Sequence, residues 1–226
     1  MKNLRPITIG IFVLSLGLLL GLMWVPPATA KAQATVRNTT VLRDVTQVRD
    51  ENCNPEDATQ GRITEATPGH TPLFEFTGCN PLMAPDGHQL TLFEFKAVQG
   101  VAFNRCVDGG TETVVYFNGL VPGGTYTVWL GVGEAFFRPP PPFDAQGALG
   151  RTDPIENFFT ANEDGEGVLS RTTPAGPLSA LGEVGPCWLD APAQLHLVYH
   201  NDGQTHGPVP GPRDTWVVIA RFLFRF

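Results

Sequence analysis

The chain lacks the residue patterns that mark most catalytic centres. Beyond residue 32 it contains two serines, Ser170 and Ser179, and neither lies in a GxSxG nucleophile elbow. It has no HExxH motif, no glycine-rich phosphate loop and no dinucleotide-binding fingerprint. Lys96 is the only lysine beyond residue 32, so Schiff-base chemistry has a single weak candidate. These absences predict a binding or structural protein rather than an enzyme.

The sequence also lacks the apolar spacing that is typical of amphipathic helices. After residue 35 almost no i, i+3, i+4, i+7 apolar spacing persists for three helical turns. Instead, 25 glycines and 21 prolines separate short apolar runs. The strand candidates are 35–45, 73–77, 88–98, 100–107, 111–120, 124–132, 155–161, 165–171, 194–200 and 214–226. About nine or ten short strands predict an all-β antiparallel sandwich, as a single domain over 33–226.

Two stretches between these strands favour irregular or tightly turned structure. The segment FRPPPPFDAQG (137–147) contains four successive prolines, which donate no backbone hydrogen bonds and predict an exposed, extended loop. The segment FFTANEDGEGVLS (158–170) has apolar residues on both sides of turn-forming ones, which predicts a β-hairpin.

The N-terminal residues 1–32 have the order of a secretory signal. Lys2 and Arg5 precede an uncharged run over 7–25, and small alanines follow at positions suited to an export protease. The uncharged run is long for a signal core and close to the length that spans a bilayer, so a retained membrane anchor is the alternative. Either interpretation predicts that the rest of the chain is exported, as a secreted, cell-surface or periplasmic protein.

Four cysteines, all beyond the signal, then predict disulfides. They are Cys53, Cys79, Cys106 and Cys187, an even number in an oxidising compartment, with no CxxC pair and no zinc-knuckle spacing. Four cysteines allow three pairings, which the sequence alone does not separate. We expect Cys79–Cys106 with Cys53–Cys187, because the first pair would join neighbouring strands.

The charge of the exported part limits its partners. Without residues 1–32 the chain keeps 12 basic and 22 acidic residues, a net charge of −10 with neutral histidines. Such a surface repels nucleic acid and anionic lipid headgroups. We therefore expect no nucleic-acid partner, and membrane contact only if the N-terminal segment is retained.

The segment GLVPGGTYTVWL (119–130) resembles the tyrosine corner of fibronectin type III and other immunoglobulin-like sandwiches. The residues that carry the resemblance are Leu120, Pro122 and Tyr126, with two glycines between the proline and the tyrosine. The resemblance implies that the Tyr126 ring packs in the core while its hydroxyl holds the backbone of the corner. It covers about a dozen residues, implies a fold and implies no ligand.

Three of the five histidines fall within QLHLVYHNDGQTHG (194–207). Alternate side chains of a strand share a face, so His196 and His200 lie together, opposite an apolar face suited to the core. The NDGQ sequence predicts a tight turn, with Gly203 at positive φ. The simplest interpretation is a strand and a turn with solvent-facing or turn-capping histidines.

The alternative for the same segment is a metal site. His206 returns past the turn towards His200, and Asp202 lies between them, so the three residues offer donors suited to zinc or copper. His196 is a further candidate ligand, although it lies four positions before His200, which is about 13 Å along a strand. The competing hypothesis is that the protein binds no metal ion and has no cofactor.

Exposed aromatic side chains would favour a carbohydrate ligand, since sugar rings stack on them. Trp129 and Trp216 lie in apolar runs and Trp188 follows Cys187, so we expect core packing and a cover over a disulfide. The sequence as a whole predicts an exported binding or structural module whose ligand is an unidentified protein or carbohydrate. The metal-binding protein or metalloenzyme is the alternative.

Overall fold

Two antiparallel sheets dominate the part of the chain that the structure describes. This computed structural model describes residues 33–37 (backbone only), 48–54, 61–133, 144–151 and 156–224. The predicted signal over 1–32 and the proline-rich residues 137–143 lie outside the described residues. Ala32–Phe226 forms a compact unit of its own. Within the described ranges, no helix has both the length and the apolar character needed to cross a bilayer.

The described elements are almost all short strands. In chain order they are β1 (Gln33–Arg37), β2 (Val48–Arg49), β3 (Phe74–Glu75), the helix α1 (Leu92–Ala97), β4 (Gln99–Val107), β5 (Gly110–Asn118), β6 (Thr125–Val132), β7 (Ala145–Ala148), β8 (Phe158–Thr160), β9 (Gly167–Pro174), β10 (Gly176–Pro177), β11 (Glu183–Val184), β12 (Ala193–His200) and β13 (Trp216–Phe224). Two single-turn 3₁₀ helices, Trp188–Asp190 and Arg213–Thr215, precede β12 and β13.

The strands form two main sheets and two small ones. In the larger sheet β12 lies between β13 and β6, and both β7 and β8 pair with the other edge of β6. The second sheet has the order β1-β4-β5-β9. β2 pairs with β3 and β10 pairs with β11. Every one of these pairs is antiparallel.

The inner faces of the two main sheets pack on each other. Phe117 of β5 stacks on Phe159 of β8 with ring centroids 5.6 Å apart, and meets Phe222 of β13 edge-on at 5.6 Å. All three side chains are buried in one continuous apolar core. Burying each such ring contributes about 1.5–3 kcal/mol. The prediction of an all-β, antiparallel sandwich is confirmed.

One predicted strand, 88–98, is wrong, because its second half is the helix α1. Thr91 begins the helix, and its backbone N–H donates to Glu94 Oε2 at 2.8 Å in a capping box. Leu92 and Phe95, three residues apart, are the buried side chains of the helix. Alternating Leu and Phe residues satisfied a strand pattern, while the local cap and the i, i+3 pair stabilise a helix.

The predicted hairpin over 158–170 is correct in its turn and wrong in its pairing. Asn162 Oδ1 accepts the backbone N–H of Glu166 at 2.7 Å, and the N–H of Gly165 donates to the carbonyl of Asn162. The flanking strands β8 and β9 do not pair with each other, since β8 joins β6 and β9 joins β5. The turn therefore carries the chain from one sheet to the other.

The predicted tyrosine corner has the expected geometry. Tyr126 is fully buried, and its hydroxyl accepts the backbone N–H of Val121 at 2.8 Å. Burial raises the pKa of Tyr126 far above its usual value, so the phenol stays protonated. Leu120 is buried beside it, while Pro122 is exposed at the corner. Kinship with fibronectin type III domains beyond this corner stays a prediction.

The disulfides exist, but the expected pairing is wrong. Cys53 bonds to Cys79 and Cys106 bonds to Cys187, with Cα–Cα distances of 5.9 Å and 5.2 Å. Cys53 lies in the loop after β2 and Cys79 in the loop after β3, and the bond joins these two loops. Cys106 lies at the end of β4, next to the 3₁₀ turn that begins after Cys187. Two disulfides indicate folding in an oxidising, extracytoplasmic compartment.

Removing the two disulfides separately should show different losses of stability. The Cys106–Cys187 bond closes 81 residues and the Cys53–Cys79 bond closes 26. Chain entropy predicts a loss of about 4.5 kcal/mol for the Cys106→Ala, Cys187→Ala pair and about 3.5 kcal/mol for Cys53→Ala, Cys79→Ala. Urea unfolding of the two double variants measures both, and a larger loss for the short loop would contradict the account.

A buried carboxylate organises the loop that holds Cys79. Glu75 is fully buried and accepts hydrogen bonds from the backbone N–H groups of Thr77 (2.5 Å), Gly78 and Asn80 (3.4 Å), and from the Thr77 hydroxyl at 2.7 Å. Burial alone would raise the pKa of Glu75, but these donors together outweigh it and lower the pKa. The ionised Glu75 side chain therefore accepts the hydrogen bonds that these loop donors would otherwise give to water.

The stability that Glu75 contributes should depend on pH. Its folded pKa lies below its unfolded pKa, so the contribution is complete above the unfolded value of about 4.3 and is lost as pH falls through the folded pKa. Glu75→Gln should therefore be less stable than wild type at pH 7, with the difference shrinking below about pH 4. Urea unfolding at both pH values measures this, with the exposed-turn variant Glu163→Gln as control. A difference independent of pH would contradict it.

Candidate metal site

Strand β12 separates the core side chains from the histidines. Leu195, Leu197 and Tyr199 point into the main core, as the alternation predicted. His196, Val198 and His200 take the outer face of the five-stranded sheet. Pairing of β12 with β6 and β13 fixes this arrangement, with His200 opposite Thr125 on one side and Trp216 on the other.

The outer face of this sheet is itself largely buried. Trp129, Ala148, Val198 and Val218 form a second apolar cluster there, and Trp216 packs against it. His200 is only 1% exposed. The prediction of a solvent-facing histidine is therefore wrong for His200, because this part of the outer face is buried.

A short hydrogen-bond chain holds the His200 ring. The indole N–H of Trp129 donates to Thr127 Oγ1 at 2.8 Å, and the same oxygen lies 2.8 Å from His200 Nε2. The other ring nitrogen, Nδ1, is buried and has no hydrogen-bond partner among the described residues. When the ring proton is on Nε2 and donates to Thr127, Nδ1 presents a free lone pair.

Burial keeps this imidazole neutral. The pKa of His200 is lowered to about 4, mainly by desolvation; the Asp202 carboxylate opposes the lowering and His206 adds to it. At pH 7 the His200 ring is therefore neutral. In the tautomer whose proton is on Nε2, a metal ion binds Nδ1 without displacing a proton.

The turn after β12 brings two more donors back to His200. Gly203 has φ +68°, and its N–H donates to the carbonyl of His200 at 3.2 Å. Asp202 Oδ1 accepts the N–H of Gln204 at 3.0 Å, while its Oδ2 lies 2.8 Å from His206 Nε2. The His206 and His200 ring centroids are 6.1 Å apart. The predicted turn, and the return of His206 past it, are both present.

Donor atoms of His200, Asp202 and His206 all lie within 4.8 Å of one another. Donors of one tetrahedral zinc ion, each about 2.0–2.2 Å from the metal, are separated by about 3.4 Å. Bringing donor atoms from 4.8 Å to that separation takes movements of about 1 Å. Asp202 is exposed and His206 is half-buried, so both side chains have room to move. The three groups are two imidazoles and a carboxylate, a donor set that zinc and copper both accept.

His196 does not join this group. It faces Arg221 across the β12–β13 pair, at the other end of the outer face. Burial, together with the nearby Arg221 charge, lowers the pKa of His196 to about 3. Of the four predicted ligands, the structure therefore brings three together and leaves His196 apart.

A surface cleft of about 250 Å³ adjoins His200 and Asp202. It is lined by Met83, Ala84, Pro85, Gly123, Thr125, Tyr199, His200, Asn201, Asp202 and Gly203. Sequence reasoning missed Thr127 and Met83, which lie far from the histidine segment along the chain. The alternation of β6 could have shown that Thr127 shares the Trp129 face, but no pattern links Met83 to His200.

His88 provides a contrast, since it also contacts two carboxylates. Its Nδ1 lies 2.5 Å from Asp86 Oδ1, and its Nε2 lies 2.7 Å from Glu94 Oε1. The hydrogen bonds that the His88 ring donates to the Glu94 and Asp86 carboxylates raise the pKa of His88. Because the two carboxylates occupy opposite nitrogens of one ring, they do not converge on a common ion position.

The tryptophans are mostly packed in apolar clusters, as expected. Trp188 follows Cys187, is buried, and meets Phe224 with ring centroids 5.4 Å apart. Trp129 is buried, and Trp216 is half-buried under the Arg213 guanidinium, 4.3 Å from its ring. These three tryptophans do not form an exposed aromatic row on which a sugar ring could stack. A carbohydrate ligand therefore stays a prediction that these tryptophans do not support.

Comparison with known proteins adds no family: no protein-family model matches the chain, and no curated protein matches it significantly.

Removing the hydroxyl of Thr127 should destabilise the fold. Thr127→Val keeps the side-chain shape but leaves Trp129 Nε1 and His200 Nε2 buried without their shared oxygen. Each such loss costs about 1–3 kcal/mol, so the free energy of unfolding should fall by roughly 2–4 kcal/mol. Urea unfolding measures it, with Thr172→Val on the exposed face of β9 as the matched control. Equal stability of the two variants would show that the Thr127 bonds do not stabilise the fold.

Proposed function

We propose that this is an exported β-sandwich protein that binds a zinc or copper ion through His200, Asp202 and His206. One observation carries the proposal: a buried imidazole whose Nδ1 lacks a hydrogen-bond partner among the described residues and which belongs to a cluster of three donors within 4.8 Å. A buried polar atom without a partner costs about 1–3 kcal/mol. An ion shared with Asp202 and His206 would satisfy it.

The anchoring of His200 supports this role. Metal-binding histidines usually donate their second ring N–H to a nearby oxygen, which fixes the tautomer and the orientation of the ring. Thr127 Oγ1 stands at that position for His200 Nε2, and Trp129 holds the threonine hydroxyl in turn. The His200 ring would therefore be prepared for the ion before it binds.

Binding of the metal ion is the role we propose. Three protein donors leave one coordination position of a tetrahedral ion, and the adjoining cleft gives a ligand room to reach it. Export is supported by the signal-like residues 1–32 and by the two disulfides. The net negative charge disfavours nucleic acid as a partner.

The proposal predicts about one zinc ion per chain, bound in competition with a chromophoric chelator at pH 7. The double variant His200→Ala, His206→Ala should lose that ion, because it removes two of the three donors. Elemental analysis and calorimetric titration with zinc chloride measure the stoichiometry and the affinity.

Two further variants keep the test independent of folding. Asp202→Asn changes only the carboxylate and should weaken zinc binding while the protein stays folded by circular dichroism. His70→Ala removes an exposed histidine outside the cluster and should bind zinc as wild type does. Failure of the wild-type protein to bind zinc or copper would leave a metal-free structural module as the better interpretation. Equal binding by His70→Ala and the double variant would place the ion elsewhere.

A further inference from the structure

A methionine, the bearer of a thioether, lines the cleft beside the candidate metal site. Met83 lines the cleft together with His200 and Asp202. Its backbone is held there on both sides, since its N–H donates to Asn201 Oδ1 at 2.7 Å and its carbonyl accepts the Tyr199 hydroxyl at 2.6 Å. Tyr199 and Asn201 directly flank His200, so the Met83 backbone and the imidazole are fixed in one local unit.

Met83 is also the only accessible source of a soft donor in the exported chain. The sequence has three methionines, and the other two, Met1 and Met23, lie within the predicted signal. All four cysteines are in disulfides. Any thioether that reaches the ion from within this chain would therefore come from Met83.

We propose, building on the proposed metal site, that its preferred ion is copper in the Cu(I) state, with the Met83 thioether as an additional donor to the imidazoles of His200 and His206. The chemical class of the Met83 donor, a thioether, supports the preference for Cu(I). Thioether sulfur is a soft donor that selects Cu(I), whereas zinc is satisfied by imidazole and carboxylate and takes water in its open position.

The side chain of Met83 is suited to move onto the ion. It is half-buried, and a methionine has three rotatable bonds beyond its Cα, so its sulfur changes position without movement of the backbone. The two backbone hydrogen bonds meanwhile keep the base of the side chain beside His200. A fixed backbone with an adjustable thioether would favour Cu(I) without excluding zinc from the donors of His200, Asp202 and His206.

The test compares Cu(I) and zinc binding by wild type and by Met83→Leu, which has a similar side-chain volume. Cu(I) affinity is measured anaerobically by competition with bicinchoninate, with ascorbate as the reductant because it leaves the disulfides intact. We expect Met83→Leu to bind Cu(I) about tenfold or more weakly and to bind zinc with unchanged affinity. X-ray absorption of the Cu(I)-loaded wild type should show a sulfur neighbour that the variant lacks.

The outcomes separate this inference from the site on which it rests. Equal Cu(I) affinity in both proteins, with no sulfur neighbour in wild type, would overturn the role of Met83 and leave the three-donor site standing. A parallel loss of zinc and Cu(I) affinity in Met83→Leu would show that Met83 only supports the cleft, and would also overturn it. Absence of both ions from wild type would overturn the proposed function itself.

Discussion

The register of β12 in the middle of the five-stranded sheet is the constraint on which the rest depends. Its antiparallel pairs with β6 and β13 decide that three apolar residues enter the core and that His196 and His200 take the outer face. A slip of one residue would exchange the two sets and place imidazoles between the sheets. The same register sets His200 near Thr127, and it delivers the chain into the turn that returns His206. The two faces of β12 and the candidate site thus both follow from the register of this one strand.

Burial on the outer face gives His200 its chemistry. An exposed imidazole would be hydrated at both nitrogens, but the His200 ring is buried on this face of the sheet. Thr127 then satisfies Nε2, while Nδ1 keeps an unmet hydrogen-bonding capacity among the described residues. The acidic partner, Asp202, is exposed on the turn and needs no burial to reach the site. A rigid, neutral donor from the sheet and two adjustable donors from the loop therefore meet at one place.

Local patterns in the sequence predicted what local physics decides. Alternation gave the faces of β12, the Asn-Asp-Gly sequence gave its turn, and the segment before β6 gave the Tyr126 corner. The errors concern partners that are distant in sequence, such as the cysteine pairing and the separate sheets of β8 and β9. The burial of His200 and the presence of Met83 at the cleft belong to the same class, because they depend on strands brought together only by the fold. Residues 92–97 are the exception, since there a local capping box favoured a helix over an equally local strand pattern.

The central claim is that His200 is a buried, neutral imidazole anchored at Nε2 whose Nδ1 is available to an ion shared with Asp202 and His206. Nitrogen-15 NMR of the histidine rings at pH 7, recorded during a zinc titration, tests it most directly. The account predicts that His200 carries its proton on Nε2 and that zinc shifts its Nδ1 resonance at about one equivalent. A His200 ring with its proton on Nδ1, unchanged by zinc, would contradict it.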